Sequence, residues 1–267
     1  MLAELCASAR AAVPALAARR AELEHAAAAA PAGPAFGASL ARGDRVTVIA
    51  ELKRSSPSRG AINAGIAAGA QAAAYAAGGA AALSILTEPS RFGGQAADVT
   101  DAIAATGGRV PVLKKDFHVH PLQLVEARAL GASAALLIAR ALTPADLRTM
   151  ERAARDLGLE TLIEIRDERE LDAALAADAR VIGVNNRNLE TLAIDLATGE
   201  RVVPLIPADR VAVFESGVYT PAEVARAAAA GADAVLVGSS ISAAADPVEA
   251  VKALARVPHV GRTGASL

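Results

Sequence analysis

The chain is poor in cysteine, in aromatic residues and in lysine. A single cysteine, Cys6, in 267 residues rules out an intramolecular disulfide and a thiolate metal cluster, and is the usage expected of a reducing cytoplasm. With no histidine near it in sequence, Cys6 reads as an inert residue on a terminal helix. Tryptophan is absent, and two tyrosines and four phenylalanines are the only aromatics. At a net charge of −2 and without a basic block, the chain offers neither a base-stacking platform nor a phosphate-backbone stripe, so no nucleic-acid partner is expected. Glu, Arg, Pro or Gly interrupts every apolar run before it reaches the length of a membrane span. The expectation is a soluble, cytoplasmic protein with no membrane association. The N-terminal stretch, with Glu4, Arg10, Arg19 and Arg20, lacks a compact secretion core; an organelle transit peptide is the competing reading.

Lysine is the most telling scarcity. Only four of the 27 basic residues are lysine, and three of the four end short apolar runs: Lys53 after VIAEL, and Lys114 with Lys115 after VPVL. Arginine supplies surface charge but hardly gives up a proton near neutrality, whereas a desolvated lysine can act as acid, base or nucleophile. Asparagine is as clustered: of four in the chain, Asn185, Asn186 and Asn188 follow the run VIGV.

What is abundant is alanine and branched aliphatics, in a hydrophobic fraction of 53% that suits alanine-rich helices packed on aliphatic strands. Eight β-type runs begin at residues 46, 82, 110, 134, 160, 181, 211 and 234, spaced 21 to 36 residues apart. That is the span of one strand plus a returning helix, and continuous apolar strands flanked by helices imply a parallel sheet. Thr143-Pro144 and Thr220-Pro221 each read as an N-cap before proline at the first helical position. Eight such units with no shift in composition predict an α/β fold, a single (β/α)8 TIM barrel over residues 46–258. No GxGxxG follows the first strand to support a dinucleotide fold. Residues 1–45, an alanine-rich helical stretch followed by the loop PAGPAFGASL, read as an extension packing on the barrel, with a disordered tail as the competing reading; residues 259–267 read as a tail. A monomer or weak homodimer is expected.

In such a barrel the strand C-termini and the loops after them form the catalytic face, and the polar residues converge there. Glu51 and Lys53 end the first strand with the same parity; Lys114 and Lys115 end the third with opposite parity, so only one of them faces the axis, and parity alone leaves both open. Glu164 lies in the fifth strand, Asn185 ends the sixth, and Glu215 and Ser216 end the seventh. Any one of these reads equally well as a surface salt bridge; as a set they can adjust one another's protonation and hold an acid beside a base. Ser216-Gly217 and Gly238-Ser239-Ser240, after the seventh and eighth strands, read as a phosphate site, with tight turns as the competing reading. Lys53 and Ser55-Ser56-Pro57-Ser58 are placed to close over the same anion. The four histidines offer no third ligand for a metal, and His118 and His120 read as solvated loop residues.

These segments resemble the indole-3-glycerol phosphate synthase family. The telling pieces are the run from Ile49 through Glu51-Leu52-Lys53-Arg54-Ser55-Ser56-Pro57-Ser58 to Gly60, Leu113-Lys114-Lys115-Asp116-Phe117, Leu162-Ile163-Glu164, Gly183-Val184-Asn185-Asn186-Arg187-Asn188-Leu189, Glu215-Ser216-Gly217 and Val237-Gly238-Ser239-Ser240. The resemblance implies ring closure of 1-(2-carboxyphenylamino)-1-deoxyribulose 5-phosphate with loss of carbon dioxide and water, without cofactor or metal. It implies that Lys115 is the general acid and Glu164 a base or relay, that Glu51 and Asn185 hold hydroxyls, and that Lys53 stands beside carboxylate and phosphate. Glu215 joins this catalytic group. By the same resemblance Ser56, Gly217, Gly238 and Ser239 go to phosphate, Arg187 and Ser216 to polar substrate groups, and Phe92, Phe117, Leu136 and Leu192 to the anthranilate ring. The chain departs from the family pattern at Phe214, at His118-Val119-His120, and in lacking a basic N-terminal helix with Trp or Tyr. The alternatives are another phosphate-binding barrel, such as a phosphoribosylanthranilate isomerase, and a non-catalytic barrel that binds a phosphorylated ligand.

Overall fold

The structure is a computed structural model that describes residues 1–262 apart from Arg42 and Arg59; residues 263–267 of the expected tail lie outside the described residues. Eight strands form where the apolar runs stand: β1 (Thr47–Leu52), β2 (Ala82–Leu86), β3 (Val112–Lys115), β4 (Ala134–Ile138), β5 (Glu160–Ile165), β6 (Val181–Asn185), β7 (Val211–Glu215) and β8 (Ala234–Val237). The third starts two residues later than the run beginning at Val110 because Pro111 has no N–H for the ladder; its carbonyl still accepts from Leu83 N at 2.9 Å. Every strand pairs in parallel with its sequence neighbours, and β8 pairs with β1, which closes the barrel.

Alternation along each strand divides the core in two. Val48, Ala50 and Leu52 of β1 face outward into the layer shared with the surrounding helices. Ile49 faces inward with Ala82, Leu113, Leu162, Val181 and Val213. Short polar caps start the helices that return the chain. Thr143 accepts from Asp146 N ahead of helix Pro144–Asp156, and Thr220 with Glu223 forms a capping box ahead of helix Pro221–Ala229, as the Thr-Pro pairs predict. Left-handed glycines, such as Gly158 at φ +71° and Gly231 at φ +88°, turn the chain from helix back to strand without a Cβ clash.

The N-terminal extension holds more structure than the sequence reading assigns it. It forms helices Leu2–Ala18 and Arg20–Ala29, and the second half of the expected loop PAGPAFGASL is itself a helix, Phe36–Leu40. Phe36 and Leu40 are fully buried and share the inner core of the barrel. This helix has no side-chain cap of its own. Its first amides instead donate to the Glu160 carboxylate at the start of β5, Phe36 N to Oε1 at 2.6 Å and Gly37 N to Oε2 at 2.9 Å. The cap comes from 124 residues away, and so no local pattern announces it. Cys6 is buried on the first helix, where burial pushes its thiol pKa up, in keeping with an inert role. Among the described residues no helix is long and apolar enough to cross a membrane.

Glu160→Ala removes both acceptors from this helix start, and a loss of about 2 kcal/mol in unfolding free energy is expected. Urea denaturation measures it; an unchanged midpoint would assign the packing of Phe36–Leu40 to burial alone.

Candidate active site

At the C-terminal mouth of the barrel the inward-facing positions become polar. Lys115 ends β3 on the inner side, and its ammonium lies 3.1 Å from Glu215 Oε2, 3.3 Å from Glu51 Oε2 and 4.0 Å from Glu164 Oε2. Lys53 Nζ reaches Glu51 Oε1 at 2.6 Å, as the shared parity of the two residues requires. Asn185 ends β6 beside them, hydrogen-bonds Glu164 with its side chain and accepts from Arg187 N at 2.9 Å. All three carboxylates are almost fully buried.

Lys114 points the other way. Its ammonium is buried behind the barrel wall, 3.1 Å from Asp116 Oδ2 and 3.3 Å from Glu126 Oε2. The register therefore decides what parity alone leaves open: Lys115 faces the axis and Lys114 faces the helices.

The absence of a side chain at two glycines makes room for this cluster. A Cβ on Gly183 of β6 would overlap Glu215 Oε1, and one on Gly238 would overlap Glu51 Oε1. Neither glycine needs a left-handed backbone; each is required because a carboxylate lies against its Cα.

Charge and burial oppose each other here. Burial would raise the Glu51 pKa, but the ammoniums of Lys53 and Lys115 outweigh it and hold the group at about 2. Burial would lower Lys115, but the carboxylates of Glu215, Glu51 and Glu164 outweigh it and hold the ammonium above its ordinary range. Glu164 goes the other way: burial and the neighbouring Glu215 charge lift it to about 7, against the pull of Lys115 and Asn185. A buried acid that titrates near neutrality beside a fixed ammonium is suited to proton transfer at physiological pH.

The cluster forms the floor of a cleft at the barrel mouth. Leu86, Phe92, Phe117, Leu136, Ile138, Leu189 and Leu192 make its apolar wall, and Ser56, Ser58, Arg187 and Ser216 its polar rim. Of the residues expected from the sequence, Glu51, Lys53, Ser56, Phe92, Lys115, Phe117, Leu136, Glu164, Asn185, Arg187, Leu192 and Ser216 all line this one cleft. Glu215 lies beneath it on Lys115. Gly217, Gly238 and Ser239 are outside the lining, at the ends of β7 and β8, where helix Ser239–Ser242 opens directly after Gly238. The segment after β1 folds over the rim as a small antiparallel ladder of Ser55–Ser56 with Gly60–Ala61. Arg54 anchors it through both guanidinium nitrogens to Asp98, and Arg187 Nη1 reaches its Ser58 Oγ at 3.0 Å.

Several lining residues escape the sequence reading. Leu86 and Ile138 share inward parity with Ala82 and Leu136, so alternation alone carried a signal for them; Met1, Asp116 and Leu189 had none of that kind. His118 corrects an expectation. It is 2% exposed rather than solvated, with Nδ1 2.8 Å from the Leu136 carbonyl; burial and the Lys114 charge depress its pKa to about 4, so the ring is neutral. His120 is half-buried and caps helix Pro121–Ala129 by accepting from Leu122 N. Among the described residues no group of His, Cys, Asp and Glu has the arrangement of a metal site.

The raised Glu164 pKa makes stability depend on pH. Its neutral form favours the fold, so its contribution is complete below about pH 4.5 and is lost as pH rises through about 7. Glu164→Gln imitates the neutral acid, and its unfolding free energy is expected to fall less between about pH 5 and about pH 8 than that of the wild type. Parallel urea titrations at the two pH values check this; equal slopes would mean that Glu164 ionises normally in the fold.

A family model described as indole-3-glycerol phosphate synthase matches residues 2–254. A relative of that name from Opitutus terrae is 48% identical over 221 residues, which cover 81% of this chain and 83% of its own. Indole-3-glycerol phosphate synthase 1 of Streptomyces coelicolor is 50% identical over 218 residues, covering 82% and 80%. Among solved structures, 3-hexulose-6-phosphate synthase from Salmonella typhimurium superposes with a TM-score of 0.63 at 15% identity over 79% of this chain and 97% of its own, a likeness of fold alone. With the cleft and its lysine–carboxylate floor built on the same residues that carry the family's sequence motifs, the chain belongs to the indole-3-glycerol phosphate synthase family.

Proposed function

We propose that this protein is an indole-3-glycerol phosphate synthase, a carbon–carbon lyase of tryptophan biosynthesis. It closes the ring of 1-(2-carboxyphenylamino)-1-deoxyribulose 5-phosphate with loss of carbon dioxide and water. The observation that carries the reading is the convergence of the Lys115 ammonium with Glu51, Glu164 and Glu215 below an apolar wall that fits an aromatic ring. Family membership over almost the whole chain supports it.

The chemistry follows from the geometry. The ring of the anthranilate moiety packs against Phe92, Phe117, Leu136 and Leu192, which presses the carbon bearing the carboxylate toward the ribulose carbonyl; such orientation supplies much of the acceleration. As that carbon attacks, the carbonyl oxygen gains charge and becomes a stronger base than an amine, and Lys115 donates its proton. Loss of carbon dioxide returns its bonding electrons to the ring system. The hydroxyl then departs as water, with Glu164 accepting and returning a proton in a step for which its near-neutral pKa is matched. Glu51 and Asn185 hold the hydroxyls, and Glu215 keeps Lys115 charged and in line. Lys53, Ser56, Gly217, Gly238 and Ser239 receive the phosphate, while Arg187 and Ser216 take the remaining polar groups. We take the protein to act as a monomer or weak homodimer, with residues 1–45 as an extension that packs on the barrel formed by 46–258.

Mixed with the carboxyphenylamino substrate, the purified protein is expected to produce a rise in indole fluorescence. Lys115→Ala should slow that rise by at least about 100-fold while substrate binding is largely retained. Normal turnover by this variant would remove Lys115 from the acid role.

A further inference from the structure

Asn186 is fully buried and is not among the groups assigned above to substrate. It follows Asn185 at the end of β6, and alternation turns its side chain away from the cleft. Every hydrogen of its side-chain amide is used. Nδ2 donates to the Glu215 carbonyl at 2.8 Å and to the Ser216 carbonyl at 3.1 Å, and Oδ1 accepts from Gly199 N at 2.8 Å. Its backbone N–H adds a bond to the Glu215 carbonyl at 3.0 Å.

The two carbonyls held by Nδ2 belong to an unusual turn. Ser216 has φ +65° and Gly217 φ +81°, so a non-glycine residue occupies the left-handed region, at a cost on the order of 1 kcal/mol. In a planar trans peptide the N–H points opposite to the C=O. Fixing the Glu215 and Ser216 carbonyls on Asn186 therefore aims the N–H groups of Ser216 and Gly217 the other way. Successive backbone amides directed to one side of a turn make a concave surface suited to an anion. The third bond ties the arrangement to helix Ala197–Val202, whose Gly199 lies so close to Phe214 and Asn186 that a Cβ there would overlap both. Phe214, a departure from the family pattern, is accommodated by that glycine.

We infer that Asn186 is a positioning residue for the substrate phosphate: its amide holds the Glu215–Ser216–Gly217 turn so that the Ser216 and Gly217 N–H groups face the anion. The inference rests on the reading that Gly217 binds the phosphate of the substrate. No other side chain of similar size meets the same needs. Aspartate would set an oxygen against two carbonyls, and leucine would take the side-chain donor from both carbonyls, leaving the Glu215 carbonyl only the backbone N–H of residue 186, and would remove the acceptor of the Gly199 N–H.

The test compares wild type with Asn186→Leu by calorimetry, using inorganic phosphate to probe the anion end of the cleft and anthranilate to probe the apolar end. The expected result is a roughly tenfold rise in the Kd for phosphate, the factor that follows when a part-buried carbonyl loses its donor, with the Kd for anthranilate unchanged. In turnover, KM for the phosphorylated substrate should rise by a similar factor and kcat should change less. An unchanged phosphate Kd overturns the inference, and so does an equal loss of both probes, which marks a general structural role. If Asn186→Leu does not fold, Asn186→Ser, whose hydroxyl can satisfy one carbonyl, is judged by the same readouts; failure of both to fold assigns the residue to the scaffold and overturns the positioning role. Wild-type turnover of the carboxyphenylamino substrate tests the functional reading separately. Without turnover that reading fails, while the phosphate comparison still decides the role of Asn186.

Discussion

One buried ammonium surrounded by three carboxylates organises the catalytic mouth of this protein. Lys115 has Glu51, Glu164 and Glu215 within 4.0 Å, and Lys53 adds a second positive charge on Glu51. Two ammoniums against three carboxyls leave one negative charge in excess, in a place where burial makes every uncompensated charge costly. Glu51, held between two lysines, stays ionised. The excess is resolved at Glu164, which has Glu215 as a like-charged neighbour and titrates near 7. The same imbalance that makes the cluster electrostatically expensive thus supplies a proton carrier matched to neutral pH.

The rest of the barrel serves to make that cluster possible. Its four members come from β1, β3, β5 and β7, so only closure of the sheet brings them to one mouth. Gly183 and Gly238 leave the space that Glu215 and Glu51 occupy. At the other end of the interior, Phe36 and Leu40 fill the inner core with apolar side chains, which keeps the polar layer confined to the face where the cleft opens. Behind the wall, Lys114 is neutralised by Asp116 and Glu126, and the neutral His118 binds the Leu136 carbonyl, so that the loop carrying Phe117 is fixed from its rear side.

Much of this was legible in the chain itself. The eight strands stand where aliphatic runs are long enough to be buried on both faces, and the Thr-Pro starts of the helices form as local capping chemistry requires. The scarcity of lysine pointed to Lys53, Lys114 and Lys115, and strand parity brought Glu51 and Lys53 together. Other features left no local trace. Helix Phe36–Leu40 is short and contains glycine and serine; it forms because Glu160 receives its first amides and the barrel interior receives its side chains. His118 looked like a polar loop residue, yet a carbonyl from β4 and the surrounding core make burial its better state. Asn186 read as one of three loop asparagines, although its partners, Gly199, Glu215 and Ser216, are 13 to 30 residues away.

By itself the sequence determined the alternation of strand and helix, the count of eight, which positions within each strand share a face, and the residue types available for proton transfer. Those properties depend on periodicity and on neighbours within a few positions, which a linear pattern contains. Only the tertiary structure decided which of Lys114 and Lys115 faces the axis, which carboxylate is ionised and which is poised near neutrality, and which polar side chains are buried as supports. These depend on register between strands and on distances of 3 to 4 Å between groups far apart in the chain, where a shift of one residue exchanges the two faces of a strand and a change of a few ångströms alters the charge that a buried group can carry.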